Sequence, residues 1–111
     1  MQKFMVLYLA PAAGMAEWMQ KPETERKEEE RKMKAEWDSW MAAHAAMIKE
    51  TSAAGKTTRI TKQGVTDAAN DLMLYSIVEG DSAESIAELF KSHPHFGIPG
   101  ASIEVMPVRP M

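Results

Sequence analysis

The chain of 111 residues has no cysteine. This absence excludes disulfide scaffolds, thiolate zinc sites and cysteine nucleophiles, and it is compatible with a reducing compartment. An excess of positive charge is also missing, because 13 lysines and arginines stand against 16 aspartates and glutamates. The resulting net charge of −3 argues against a protein whose partner is a nucleic acid.

Long hydrophobic runs are missing too. No segment approaches the roughly 20 apolar residues that a membrane-spanning helix requires. Phe4–Ala10 follows Lys3 and precedes small residues, as in a signal peptide, but its length and aromatic content favour a buried strand. We therefore expect a cytoplasmic protein with no membrane partner. At this length, we expect one domain over residues 1–111.

Two segments of continuous apolar sequence, Phe4–Leu9 and Leu72–Val78, are the strongest strand signals. Continuous rather than alternating hydrophobicity is typical of strands that are covered on both faces. Ser102–Val108 predicts a last strand, with Pro107 at its end or at a sheet edge, because proline cannot donate a ladder hydrogen bond.

A long helix is predicted to begin at Pro22, since proline suits the first turn. Its first half is charged on all sides, with glutamate–lysine pairs four residues apart. Its second half carries an apolar stripe from Met33 through Trp37 and Trp40 to His44. We expect Trp18, Trp37 and Trp40 to lie in the core. The charged half is expected to lie over a sheet edge or to reach a neighbouring subunit.

Two shorter helices are indicated. One comprises one or two turns around Met15–Met19, and the other is the amphipathic segment Ala83–Phe90. Asp81 and Glu84 have the spacing of a capping box at the start of the second one.

Residues 45–71 are harder to interpret. Met47–Glu50 either continues the long helix or begins a short strand. Thr57–Thr61 is rich in β-branched residues and favours an exposed strand or arm. Gly64 and Asp67–Asp71 have the composition of turns.

The order of these elements predicts an α+β, ferredoxin-like split βαβ sheet with both helices on one face. Two helices cover only one face, yet the strands are apolar on both. An uncovered apolar face of several hundred Å² is rare in soluble monomers. We therefore expect a homodimer, a dimeric α+β barrel, in which that face packs against its own copy.

The chain resembles the YCII-related, DGPF-type family. The resemblance rests on these segments: Lys3–Tyr8, the pair Trp37 and Trp40, Leu74–Val78, Asp81–Ser82, Ser92–Phe96 and Gly100–Val105. It implies the same ferredoxin-like dimer, a long helix that ends near His44, and Met47–Glu50 as the second strand. The chain has Gly64-Val65-Thr66-Asp67 where the family carries its Asp-Gly-Pro-Phe tetrapeptide.

His93 and His95 are the first candidates for chemistry. Two imidazoles separated by a stiffening proline are suited to proton transfer or ligand binding near neutral pH. No third ligand lies nearby in the sequence, so we expect no metal and no cofactor. The competing interpretation is that these histidines only end the preceding helix by binding its last carbonyls.

Other candidates depend on where the fold places them. Glu104 is a candidate acid or base if it points into the dimer interior, and it is only solvated if it points outward. His44 and Tyr75 join the two loop histidines as candidate ligand-binding residues. Asp67 and Asp71 either flank a cleft or only form turns.

Three functions remain open from the sequence. The first is a small dimer that binds a small molecule between helix, sheet and the loop that carries His93 and His95. The second is a cofactor-free enzyme that moves protons with His93, His95 or Glu104 on a small organic substrate. The third, implied by the family resemblance, is a transcription-linked protein-interaction module.

Overall fold

The computed structural model describes residues 2–111. Four antiparallel strands form the main sheet in the order β2-β5-β1-β6, and β3 and β4 form a separate hairpin. The strands are β1 (Gln2–Leu9), β2 (Ile48–Ala53), β3 (Thr57–Thr61), β4 (Gly64–Ala68), β5 (Leu72–Gly80) and β6 (Ser102–Pro107). The helices are α1 (Ala12–Met19), α2 (Glu23–Ala43) and α3 (Ala83–Phe90), followed by a 3-10 turn at Pro94–Gly97.

The main sheet has the ferredoxin-like arrangement that the sequence predicts. β1, α2 and β2 form one half, and β5, α3 and β6 form the other. The helices lie on one face of the sheet, where α2 and α3 enclose the core with alternate residues of β1 and β5. The buried apolar residues of this cluster are Phe4, Val6, Tyr8, Trp40, Val78, Ile86 and Phe90.

The helix α2 docks through its second half, as its apolar stripe predicts. Trp40 is buried, and Trp37 packs against the core cluster. The core position predicted for Trp18 was wrong, because this side chain is only partly buried on α1 and lies outside that cluster. The charged first half is met by α1 of the same chain, where the Trp18 indole N–H donates to the Glu29 carboxylate at 3.0 Å. Lys21 also binds Glu29, with 3.0 Å between nitrogen and oxygen. The charged half therefore has a neighbour within its own chain.

Two further local predictions were wrong. The capping box of α3 is built by Ser82 and Ser85, one residue after the predicted Asp81 and Glu84. Ser82 has the extended backbone of an N-cap, and its hydroxyl accepts the Ser85 N–H at 3.1 Å. The other error concerns Gly64–Ala68, which pairs with Thr57–Thr61 as β4, so Asp67 lies in a strand rather than a turn.

The second face of the main sheet is apolar at its centre, and no helix of residues 2–111 packs on it. We call it the open face. Strand alternation places on it the partly exposed side chains of Met5, Leu7, Leu9, Tyr75, Ile77 and Met106. Among residues 2–111, no helix is both long and apolar enough to cross a membrane.

The docked tryptophan allows a stability test of α2. Trp40→Ala removes a buried indole and leaves a cavity, so it should lower the free energy of unfolding by about 3–5 kcal/mol. The control Thr24→Ala, on the exposed half of the same helix, should change it by less than about 0.5 kcal/mol. Urea unfolding measures both, and equal losses would contradict this account of the docked half.

Candidate functional site

The two loop histidines are buried inside the fold. His93 is 2% exposed and His95 is 0% exposed. α3 ends at Phe90, and Pro94 begins a 3-10 turn that has His93 as its N-cap and contains His95. The Nδ1 atom of His93 accepts the backbone N–H of His95 at 2.9 Å, which caps that turn.

The hydrogen bonds of His95 determine its tautomer. Its Nε2 lies 2.8 Å from the backbone carbonyl oxygen of Leu9, which can only accept, so Nε2 carries the proton. In the neutral ring, Nδ1 then bears a lone pair. That atom is buried and has no hydrogen-bond partner among residues 2–111. His95 therefore presents an unused acceptor.

The same reasoning assigns the opposite polarity to His93. Because its Nδ1 accepts the N–H of His95, the neutral ring carries its proton on Nε2. This Nε2–H is likewise buried and has no hydrogen-bond acceptor among the described residues. The site therefore contains one unused donor and one unused acceptor, on rings whose centroids are 6.5 Å apart.

Aromatic side chains from β1 and α2 surround the histidine pair. The Tyr8 ring lies 5.2 Å from that of His93 and 5.6 Å from that of His95, measured between centroids. Trp37 and Trp40 contact the His93 ring edge to face at 4.3 and 4.4 Å. These apolar walls keep water from the imidazoles.

Burial shifts the acid–base properties of two groups. The pKa of His93 is lowered to about 4, mainly because burial disfavours the imidazolium and secondarily through electrostatic interaction with His95 and His44. Burial raises the pKa of Tyr8, partly offset by its hydrogen bond to Ser76. The Tyr8 hydroxyl lies 2.8 Å from the Ser76 hydroxyl, which in turn lies 2.6 Å from that of Thr51. Because its pKa is lowered to about 4, His93 is neutral at physiological pH.

A cleft of about 360 Å³ opens beside His95. We call it the His95 cleft. It is lined by His95, by five largely apolar side chains and by two charged ones: Met33, Trp37, Met73, Leu74, Ile98, Glu30 and Lys34. A second cavity, about 340 Å³ in volume, adjoins it along α2 and shares Glu30, Met33 and Ile98 with it. Residues 2–111 contain no group of three side chains placed to hold a metal ion.

The other predicted site residues lie elsewhere. Glu104 pairs in register with Leu7 on the open face, so the sheet separates its carboxylate from the histidines. Tyr75 is on the same open face, where its hydroxyl donates to Glu50 at 2.9 Å. His44 follows α2 and stacks on Trp40 at 4.0 Å, with its Nδ1–H donating to the Trp40 carbonyl. The structure therefore places His93 and His95 together, and it places Glu104 and Tyr75 on the opposite face of the sheet.

Two residues of the site were not singled out from the sequence. Tyr8 belongs to an apolar strand, and Ser76 belongs to another. A hydroxyl group within each apolar run was the available signal, because buried hydroxyls need a partner and tend to find one another. Trp37 was expected in the core, and it is also a wall of the cleft.

The lowered pKa of His93 predicts a pH-dependent stability. Between pH 6.5 and about 4 the unfolded chain binds a proton that the folded His93 does not, so stability should fall as the pH drops through this window. His93→Gln should flatten this dependence, even if it lowers stability throughout. Urea melts from pH 7 to 4 measure both curves, and parallel curves would contradict the neutral, buried His93.

Comparison with known proteins establishes a shared fold. No family model matches the chain, and no curated protein matches it. Among solved structures it is similar to 5-chloro-2-hydroxyhydroquinone dehydrochlorinase (TftG) from Burkholderia phenoliruptrix AC1100, in complex with 2,5-dihydroxybenzoquinone. The identity is 11% and the TM-score 0.57, over 96% of this chain and 93% of that one. This likeness confirms the α+β, ferredoxin-like fold.

A lesser likeness is to a hydantoinase/carbamoylase family amidase from Burkholderia ambifaria. The identity is 13% and the TM-score 0.35, over 97% of this chain and 27% of that one. This score is too low to support any inference about the chain.

Proposed function

We propose that this chain binds a small, flat organic molecule that carries a hydroxyl or N–H group, in the His95 cleft. The observation that carries the proposal is the buried Nδ1 of His95, an acceptor without a partner among residues 2–111, on a ring that lines an otherwise largely apolar cleft. A buried polar atom without a hydrogen bond costs about 1–3 kcal/mol. A ligand that donates to Nδ1 recovers this free energy.

The chemistry of the cleft supports this ligand class. Small-molecule sites typically enclose about 300–1,000 Å³, with apolar walls and few polar groups that orient the ligand. The His95 cleft lies at the lower end of that range, which suits a single substituted ring. The Trp37 indole offers a flat surface for such a ring.

Access to Nδ1 requires a side chain to move, because this atom is shielded from solvent in the free chain. Met33 and Met73 line the cleft. Methionine side chains are unbranched and adapt their shape at low cost, so they can make room for a ligand.

The comparison with TftG guides the choice of ligand. That protein is named for a hydroxylated, chlorinated ring compound and holds 2,5-dihydroxybenzoquinone. Hydroxylated six-membered rings are therefore reasonable first probes for the His95 cleft. Their hydroxyl groups can donate to Nδ1, and their faces can pack on Trp37.

The second candidate function is cofactor-free proton transfer. It is favoured by the tautomer of His95, whose Nδ1 lone pair faces no competing donor among residues 2–111 and can act as a general base. His93 would support this role as a neutral neighbour that adds no positive charge. Glu104 has no part in this proposal because it lies on the open face.

The assembly that fits this fold is a homodimer. The open face exposes six apolar or aromatic side chains at the centre of the sheet, and packing it on a second copy would form an α+β barrel. The same arrangement is what the YCII-related resemblance implies. We also propose that the chain belongs to the YCII-related family and that residues 1–111 form a single domain.

Matched ligands test the binding site. Hydroquinone should bind about tenfold more tightly than its dimethyl ether, the value of one net hydrogen bond. His95→Phe should abolish this difference, and His44→Phe should preserve it. NMR titration measures the affinities, and near-UV circular dichroism checks that each variant is folded.

Equal affinities of the two ligands for the wild type would contradict the proposed role of Nδ1, and no binding of either would contradict the proposed ligand class. The same spectra followed over hours separate the two candidate functions. New ligand signals that require His95 would favour the enzyme.

Light scattering tests the homodimer. At micromolar concentration the wild-type chain should have twice the monomer mass of 12.4 kDa. Leu7→Glu places a charge at the centre of the open face and should reduce the mass to that of the monomer. Leu89→Ser, on the exposed side of α3, is the matched control and should leave the dimer unchanged. A wild-type monomer would exclude the barrel.

A further inference from the structure

We propose that the hairpin Thr57–Ala68, which we call the arm, binds a second copy of this chain. The contacts would be made by the apolar side chains of Ile60 and Val65 and by the cations Arg59 and Lys62. The proposal rests on the homodimer proposed above and adds a contact outside the open face. It does not depend on the ligand of the His95 cleft.

The arm is exposed along its whole length. Every residue from Thr58 to Asp67 is exposed, and only Thr57 and Ala68 at its base are partly covered. The radius of gyration is 15.8 Å, whereas a compact chain of this length has about 13 Å. The arm therefore projects from the body of the protein.

Two apolar side chains stand together on this projection. Ile60 and Val65 are directly paired across the hairpin, so they share one face, and they are 78% and 67% exposed. An isolated two-stranded hairpin is only marginally stable in water unless a further surface packs on it. We expect that further surface to pack on the paired side chains of Ile60 and Val65.

The charge of the arm identifies the kind of surface. The arm contains two cations and one acid, whereas the rest of the chain contains eleven cations and fifteen acids. Lys56 binds Asp67 at 3.2 Å, and Arg59 and Lys62 have no ion-pair partner among the described residues. The body of a second copy is thus complementary in charge to the arm.

The position of the arm favours a second copy over another partner. It connects β2 to β5, which both belong to the sheet whose open face is proposed to meet that copy. The edge strands of that face add two acidic side chains, Glu50 and Glu104. In a twofold dimer each arm contact occurs twice, so its contribution to the free energy of dimerisation is doubled.

The experiment measures the dimer dissociation constant by analytical ultracentrifugation over a dilution series. The double variant Ile60→Ser with Val65→Ser should raise this constant at least tenfold. The double variant Arg59→Glu with Lys62→Glu should also raise the dissociation constant, most strongly at low salt. Added salt should weaken the wild-type dimer. The matched controls are Leu89→Ser for lost apolar surface and Lys27→Glu with Lys32→Glu for the same change in charge.

The outcomes separate the two proposals. A dimer whose dissociation constant is unchanged in both arm variants would overturn the arm proposal and leave the homodimer in place. A wild type that stays monomeric would overturn both. Equal weakening by the arm variants and their controls would also overturn the arm proposal, because the effect would then be general rather than local.

Discussion

The hydrogen bond from His95 Nε2–H to the Leu9 carbonyl, 2.8 Å long, is the contact on which the site depends. It ties the loop after α3 to the end of β1, and it assigns the proton of the imidazole to one nitrogen. The other nitrogen is then an acceptor without a partner among residues 2–111, on a ring that lines a largely apolar cleft. One contact thereby joins the position of the loop, the tautomer of the ring and the chemistry offered to a ligand.

The sheet divides the molecule into two surfaces of different character. The helix-covered face holds the aromatic side chains and the two histidines, from which water is excluded. The open face presents apolar side chains at its centre and the acidic Glu50 and Glu104 on its edge strands. The first surface is where we propose that a ligand binds, and the second is where we propose that another copy of the chain packs. Because strand residues alternate between faces, one apolar strand serves both.

Local patterns were sufficient for most of the elements. Continuous apolar runs predicted β1 and β5, and the change from charged to apolar periodicity predicted which half of α2 docks. The errors came where neighbouring residues offer the same signal, as at Asp81 and Ser82, either of which suits an N-cap. Gly64 and Asp67–Asp71 have the composition of turns, whereas the pairing of Gly64–Ala68 with β3 depends on a partner outside that segment.

The sequence by itself determined most of the strands, the helices and the presence of two histidines in a loop after α3, because these depend on contacts between residues close in the chain. Only the tertiary structure decided that both imidazoles are buried, that Leu9 binds one of them, and that Glu104 faces away. These outcomes depend on partners up to 86 positions apart, and on which face of a twisted sheet each side chain occupies. No local periodicity encodes those distances.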